Sequence, residues 1–171
     1  MRIQETGRGI QIQDSGVRLK ERRARVSMTV GITGLTMVSD EELIEKARLA
    51  RMSAHAPYSN FQVGAALLTS DGRVFTGCNV ENSTYGLSMC AERVAIFKAV
   101  SEGMQEIAKV VVVTDSEDIA PPCGCCRQMT WEFGSEATQV IIANLAGQMR
   151  RYQIKELLPQ AFDSRFLQGV G

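Results

Sequence analysis

Two short fragments hold the residues best suited to chemistry: Cys90-Ala91-Glu92 and Pro122-Cys123-Gly124-Cys125-Cys126-Arg127. Cys123 and Cys126 stand three apart, so in the first turn of a helix their thiolates share a face. Cys90 also falls where a helix is expected to start. Three thiolates at two helix N-termini form a metal site with an open fourth position, the pattern of a catalytic zinc. Glu92 lies two residues from Cys90, near the metal yet not required as a ligand. A carboxylate there can take a proton from activated water and return it to a substrate. Three thiolates also leave a zinc centre formally anionic, which weakens that activation. Helix dipoles at the two N-termini draw charge off the sulfurs. Arg93 and Arg127 are candidates to donate hydrogen bonds to them, and Arg93 is favoured.

The remaining residues of these types have plainer readings. Cys125 fills the variable position between two ligands and is expected to point away, because residues i and i+2 do not share a helix face. Cys78 reads as a small core residue in a strand. His55, the single histidine, reads as a solvated residue at a helix end. Met89 is expected to pack on the zinc loop. Trp131 is expected half-buried against a sheet or an interface. Taken alone, Cys123 and Cys126 could be a redox pair or half of a structural zinc site; Cys90-Ala91-Glu92 and Pro122 argue against both.

The elements that must position these residues can be read from the body of the chain. Ser39-Asp40-Glu41-Glu42 is a capping box, followed by Leu43, Ala47, Ala50 and Ala54 at helical spacing; this helix should end before Pro57. Val63–Thr69 and Arg73–Val80, split by Ser70-Asp71-Gly72, read as a β-hairpin. A second helix is expected from about Cys90 to Glu102, with Val94, Phe97 and Val100 on its inward face, stopped by Gly103. Val110–Val113 is a β-branched run, the mark of a strand covered on both faces. A third helix should run from near Cys123 to near Gly134. Val140–Ala143 and Gln148–Tyr152 read as two more strands, and Glu156–Leu158 as a helical turn broken by Pro159. The order αββαβαββ provides helices for both faces of one sheet.

Length and composition frame this body. The 171 residues suit one domain with a tail, and 44% apolar residues allow a sizeable core. No apolar run approaches the roughly 18 residues of a membrane-spanning helix. Lysine plus arginine and aspartate plus glutamate are each 19, which argues against a protein that grips a polyanion over its whole surface. That balance hides two unlike parts. Residues 1–38 hold seven cations and three anions, a net +4; the other 133 residues hold 12 and 16, a net −4. The division is therefore a basic, motif-free extension at 1–38, expected to be disordered, and a functional domain at 39–171. Frequent arginine suggests a transit peptide, whereas Glu5, Asp14 and Glu21 count against one; Met28 and Met37 offer later starts. Five cysteines, an odd number with three clustered, do not suit a disulfide framework and point to a reduced, cytoplasmic compartment.

Cys-Ala-Glu followed some 30 residues on by Pro-Cys-x-x-Cys resembles the signature of the zinc-dependent nucleoside and nucleic-acid deaminases. Ala56–Phe61 (Ala-Pro-Tyr-Ser-x-Phe), Val63-Gly64-Ala65-Ala66, Gly77–Asn82 and Glu156-Leu157-Leu158-Pro159 narrow the resemblance to the short, homotetrameric cytidine deaminases with three zinc-binding cysteines. It runs from about Ser39 to Phe166. It implies a three-layer α/β/α sandwich around a five-stranded mixed sheet, and Zn²⁺ held by Cys90, Cys123 and Cys126. Glu92 matches the proton shuttle, and Arg93 the arginine that hydrogen-bonds the ligand thiolates. Asn79 and Glu81 match residues that hold the ribose hydroxyls, Phe61 an aromatic beside the base, and the backbone of Ala91 a contact to the base. Tyr85 and Phe162 match positions that reach a neighbouring subunit's site. The implied reaction is hydrolytic deamination of cytidine and deoxycytidine, releasing ammonia, in pyrimidine salvage. Neither a membrane nor a nucleic acid is expected as a partner.

Three rivals remain. The nearest is a deaminase of the same fold acting on another aminopyrimidine nucleoside, of the blasticidin S type; Asn79-Val80-Glu81-Asn82 argues against it. A nucleic-acid deaminase or binding protein would use the basic arm as its grip, but the acidic body offers no basic channel. A catalytically dead zinc fold is at odds with an intact Glu92.

Overall fold

The computed structural model describes residues 38–167. Residues 1–37 of the expected extension lie outside the described residues. The first helix, α1 (Asp40–Arg51), begins where Ser39 Oγ accepts a hydrogen bond from the Glu42 N–H at 3.1 Å. It buries Leu43 and Ala47. The strands β1 (Val63–Thr69) and β2 (Val74–Cys78) form the expected hairpin, and Gly72 takes the left-handed φ of +85° that its turn requires. Next come α2 (Ala91–Ser101), β3 (Ile107–Thr114), α3 (Gly124–Phe133), β4 (Gln139–Asn144), β5 (Met149–Gln153) and α4 (Ile154–Leu157). The sheet order is β2-β1-β3-β4-β5, antiparallel except for the parallel pair β3 and β4, which α3 connects.

Alternation along the central strands explains the layers. Val111 and Val113 of β3, with Ile141 and Ala143 of β4, pack with Leu43 and Ala47 of α1 on one face. Val110 and Val112 turn the other way and pack with Ala91, Ala95, Ile96 and Ala99 of α2, and with Met129 and Phe133 of α3. Val140 and Ile142 continue that second face under Ile154 of α4, with Trp131 half-buried against them. The result is the expected α/β/α sandwich over a mixed five-stranded sheet.

The inward face of α2 differs from the expectation. Its buried residues are Ala91, Glu92, Ala95, Ile96 and Ala99, whereas Phe97 is 44% and Val100 38% exposed and Val94 is half-buried. The physical reason is close approach. A Cβ on Gly77 of β2 would lie 2.4 Å from the Ala91 carbonyl oxygen, so the helix backbone rests almost on the strand and only small side chains fit between. Ile96 is buried with the small residues, whereas Phe97 and Val100 are turned outward. Cys78 is also less enclosed than expected: it ends β2 half-buried, and its thiol donates to the Ser53 carbonyl at 3.3 Å. Among the described residues no helix is long and apolar enough to cross a membrane.

Candidate active site

The close approach of α2 to the sheet fixes where its first turn lies. Cys90 is the N-cap of α2 and Cys123 the N-cap of α3, both in extended backbone conformation. Neither uses its side chain to cap its own helix, so both thiols are free for other work. The sulfurs of Cys90, Cys123 and Cys126 lie within 4.8 Å of one another. Cys90 Sγ is 3.7 Å from Cys123 Sγ, and Cys123 Sγ is 3.5 Å from Cys126 Sγ. Tetrahedral zinc with Zn–S bonds of about 2.3 Å needs sulfurs about 3.8 Å apart, so the donor set and its spacing both fit the ion. Cys126 faces Cys123 because N-cap and N3 side chains meet across a first helical turn. Cys125 is exposed and outside the cluster, as expected.

Glu92, one residue into α2, is 4% exposed. Burial pushes its carboxyl above the usual range, and a negative Cys90 adds to the rise. Arg93 donates from Nη2 to Cys90 Sγ at 3.6 Å and to the Ser88 carbonyl at 3.3 Å. A hydrogen bond with Cys126, assisted by Arg93 and Cys123, brings the Cys90 thiol down to about 5. The same contact with Cys90, together with burial, pushes the Cys126 thiol up. Arg127 does not join this group. Its Nε donates to the Pro122 carbonyl at 2.7 Å and its Nη1 to the Leu157 carbonyl at 2.9 Å, which corrects the expectation that it was a candidate partner of the thiolates. The N3 position facing the α3 N-cap is taken by Cys126, so the arginine falls one residue later and clamps the ligand loop to α4.

A cavity of about 290 Å³ opens onto Cys90, Cys123 and Glu92 and is also lined by Phe61, Asn79, Glu81 and Ala91. The expected site residues of the base and ribose therefore share one hollow with the metal cluster. Asn79 Nδ2 donates to the Phe61 carbonyl and its Oδ1 accepts from the Val63 N–H, both at 2.8 Å, which leaves one amide N–H uncommitted. Glu81 accepts from the backbone N–H of Tyr58 at 2.9 Å and of Ser59 at 3.2 Å, and from the Ser59 hydroxyl. These bonds hold its carboxyl below the usual range. His55 is exposed, but its backbone brackets this strand end: it donates to the Asn79 carbonyl at 3.0 Å and accepts from Glu81 N–H at 2.8 Å. Met89 lines the same cavity. Tyr85, 75% exposed, and Phe162, 58% exposed, do not line it. Tyr85 packs edge-on to Tyr58, and the Phe162 carbonyl accepts from Gln128 of α3 at 2.8 Å.

Ser59, Ser88 and Thr114 are polar residues of this cavity that the sequence does not mark, and Ser59 is the one that bonds a predicted site residue through its side chain. It belongs to the Ala56–Phe61 stretch, but its partner Glu81 lies 22 residues away, and no spacing rule links them.

The sequence model described as "Cytidine and deoxycytidylate deaminase zinc-binding region" matches residues 37–143. A cytidine deaminase of Halalkalibacterium halodurans is 50% identical over 120 residues, covering 70% of this chain and 91% of that protein. One from Sporosarcina psychrophila is 46% identical over 127 residues, covering 74% and 93%. The crystal structure of cytidine deaminase from Burkholderia pseudomallei superposes with a TM-score of 0.71 at 48% identity, over 72% of this chain and 99% of that one. Three sulfurs spaced for zinc, a buried glutamate beside them and a family match that runs across both fragments lead to one conclusion: this chain belongs to the zinc-binding cytidine and deoxycytidylate deaminase family.

Proposed function

We propose that the protein catalyses zinc-dependent hydrolytic deamination of cytidine and deoxycytidine to uridine and deoxyuridine. The observation that carries this reading is the single cavity that joins the three-cysteine cluster and buried Glu92 to Asn79, Glu81 and Phe61. Held by Cys90, Cys123 and Cys126, Zn²⁺ supplies Lewis-acid activation of the attacking water. Glu92, with its carboxyl raised by burial, moves the two protons of the attacking water in turn: the first goes to ring N3 and stays there, and the second, from the hydroxyl added at C4, goes to the amine, which leaves as ammonia as the C4 carbonyl forms. Arg93 draws charge from Cys90 and so keeps the thiolate set from quenching that activation. Phe61 flanks the base, the Ala91 backbone meets its edge, and Asn79 and Glu81 hold the sugar hydroxyls. A free base would leave those two groups unpaired at a cost of about 1–3 kcal/mol each.

The active assembly is a homotetramer in which Tyr85 and Phe162 reach a neighbour's cavity. Their exposure, with that of Leu87, Phe97 and Val100, supports this, because side chains so apolar are normally covered. A cytoplasmic site of action suits thiols that must stay reduced. The test is turnover by zinc-loaded protein, followed as ammonia release and the absorbance change from cytidine to uridine. Turnover of both nucleosides is expected. Turnover of blasticidin S with neither nucleoside consumed would move the chain to the nearest rival activity.

A further inference from the structure

The loop that carries Phe61 is folded around the Glu81 carboxylate. Tyr58 and Ser59 direct their backbone N–H groups at Glu81 Oε2, and the Ser59 hydroxyl donates to Oε1. That hydroxyl also accepts from the Phe61 N–H at 3.0 Å. Asn60, between the two pocket residues, takes a left-handed φ of +58°, which turns Ser59 and Phe61 toward the same cavity. An asparagine tolerates that conformation better than other side chains.

A serine bonded to the N–H two residues on is a common way to close a turn. The second bond distinguishes this one. A hydroxyl has a single proton, and here it is spent on the carboxylate. An ionised carboxylate offers about four lone-pair sites. Tyr58 N–H, Ser59 N–H and Ser59 O–H occupy three of them, which leaves one, on Oε1, in a fixed direction. We propose that Ser59 is a positioning residue for substrate: its hydroxyl locks Glu81 to the backbone of Phe61, so the group that meets the sugar and the ring that flanks the base are set as one unit. This rests on the sugar-binding role given to Glu81 above. Substrate specificity at the sugar would then depend on a side chain that itself need not touch the sugar.

The experiment compares kcat/KM for cytidine with that for 2′,3′-dideoxycytidine, which lacks the 2′- and 3′-hydroxyls and keeps only the 5′-hydroxyl. The full-length, zinc-loaded chain is used throughout. The ratio of the two values is independent of the fraction of active protein, so a poorly folding variant still gives a usable result. Ser59→Ala is expected to lower the ratio about ten-fold, the value of one hydrogen bond to a charged group, through KM for cytidine with kcat nearly unchanged. Ser59→Thr, which keeps the hydroxyl, is expected to stay within about three-fold of the parent. In a Glu81→Ala background, Ser59→Ala should lower the ratio no further. An unchanged ratio in Ser59→Ala, an equal loss on both substrates, or a loss in Ser59→Thr as large as in Ser59→Ala overturns the proposal. If Glu81→Ala itself leaves the ratio intact, the sugar role of Glu81 falls and the proposal falls with it. A low ratio in Glu81→Ala beside a parental one in Ser59→Ala removes the proposal alone.

Discussion

At α2 and at α3 a cysteine occupies the N-cap and an arginine follows in the opening turns, yet the two arginines do different things. Arg93 turns its guanidinium to Cys90 Sγ at 3.6 Å. Arg127 spends its own on two carbonyls, Pro122 at 2.7 Å and Leu157 at 2.9 Å. The difference lies in which residue fills N3: arginine in α2, a third cysteine in α3. The α2 terminus therefore sets charge on the sulfurs and presents Glu92, while the α3 terminus provides a two-sulfur clasp and mechanical hold on the chain beyond β5. A third terminus, that of α1, is capped in the ordinary way by Ser39 and serves as the control.

If this division is right, damage at each terminus should differ in kind. The largest effect belongs to Glu92→Gln, which should lower turnover by at least about a thousand-fold with zinc still bound at one equivalent. Turnover by absorbance and metal content on the same sample check it, and unchanged turnover would remove Glu92 from its role. Cys126→Ser should abolish stoichiometric zinc, since it opens the α3 clasp; metal analysis after dialysis decides, and full retention would mean that Cys125 had taken its place. Arg93→Ala and Arg127→Ala should diverge. The first should lower kcat about ten-fold or more with little change in stability. The second should lose about 1–2 kcal/mol of stability with a smaller change in kcat. Denaturation midpoints beside kinetics test this pair, and equal profiles would break the comparison.

The smallest effect is expected at α1. Asp40 binds Lys109 of β3 and, at 3.0 Å, Arg151 of β5, and its carboxyl is held below the usual range chiefly by Lys109. A depressed carboxyl stabilises the fold above the ordinary aspartate range and loses that contribution as pH falls through its folded value. Asp40→Asn should therefore cost about 1 kcal/mol or less at neutral pH. The gap between variant and parent should close in strongly acidic solution, as urea denaturation at the two pH values would show.

Much of this arrangement could be read in the sequence because its signals are local. Ser39 with Glu42 marks a helix start, Asp71-Gly72 a hairpin, and Val110–Val113 a strand buried on both sides. The metal ligands were legible for the same reason, since their spacing places them on first turns. What escaped depends on contact between distant segments. The burial of Ala95 and Ala99 in place of Phe97 and Val100 follows from Gly77, whose missing side chain admits α2 against β2; a pattern that favours large apolar residues cannot register that. Adjacency to the motifs makes Arg127 look like Arg93, whereas its partner Leu157 lies 30 residues on. Ser59 has no local signal, because the fold alone brings the strand end carrying Glu81 beside it.

The placement of Cys125 has a practical side. It is exposed on α3 and stands outside the group of three sulfurs. An alkylating reagent offered to the metal-loaded protein should find Cys125 first and half-buried Cys78 more slowly, with Cys90, Cys123 and Cys126 protected until a chelator is added. Counting modified sulfhydryls by mass spectrometry would then gauge how much of a preparation is loaded, before any substrate is added.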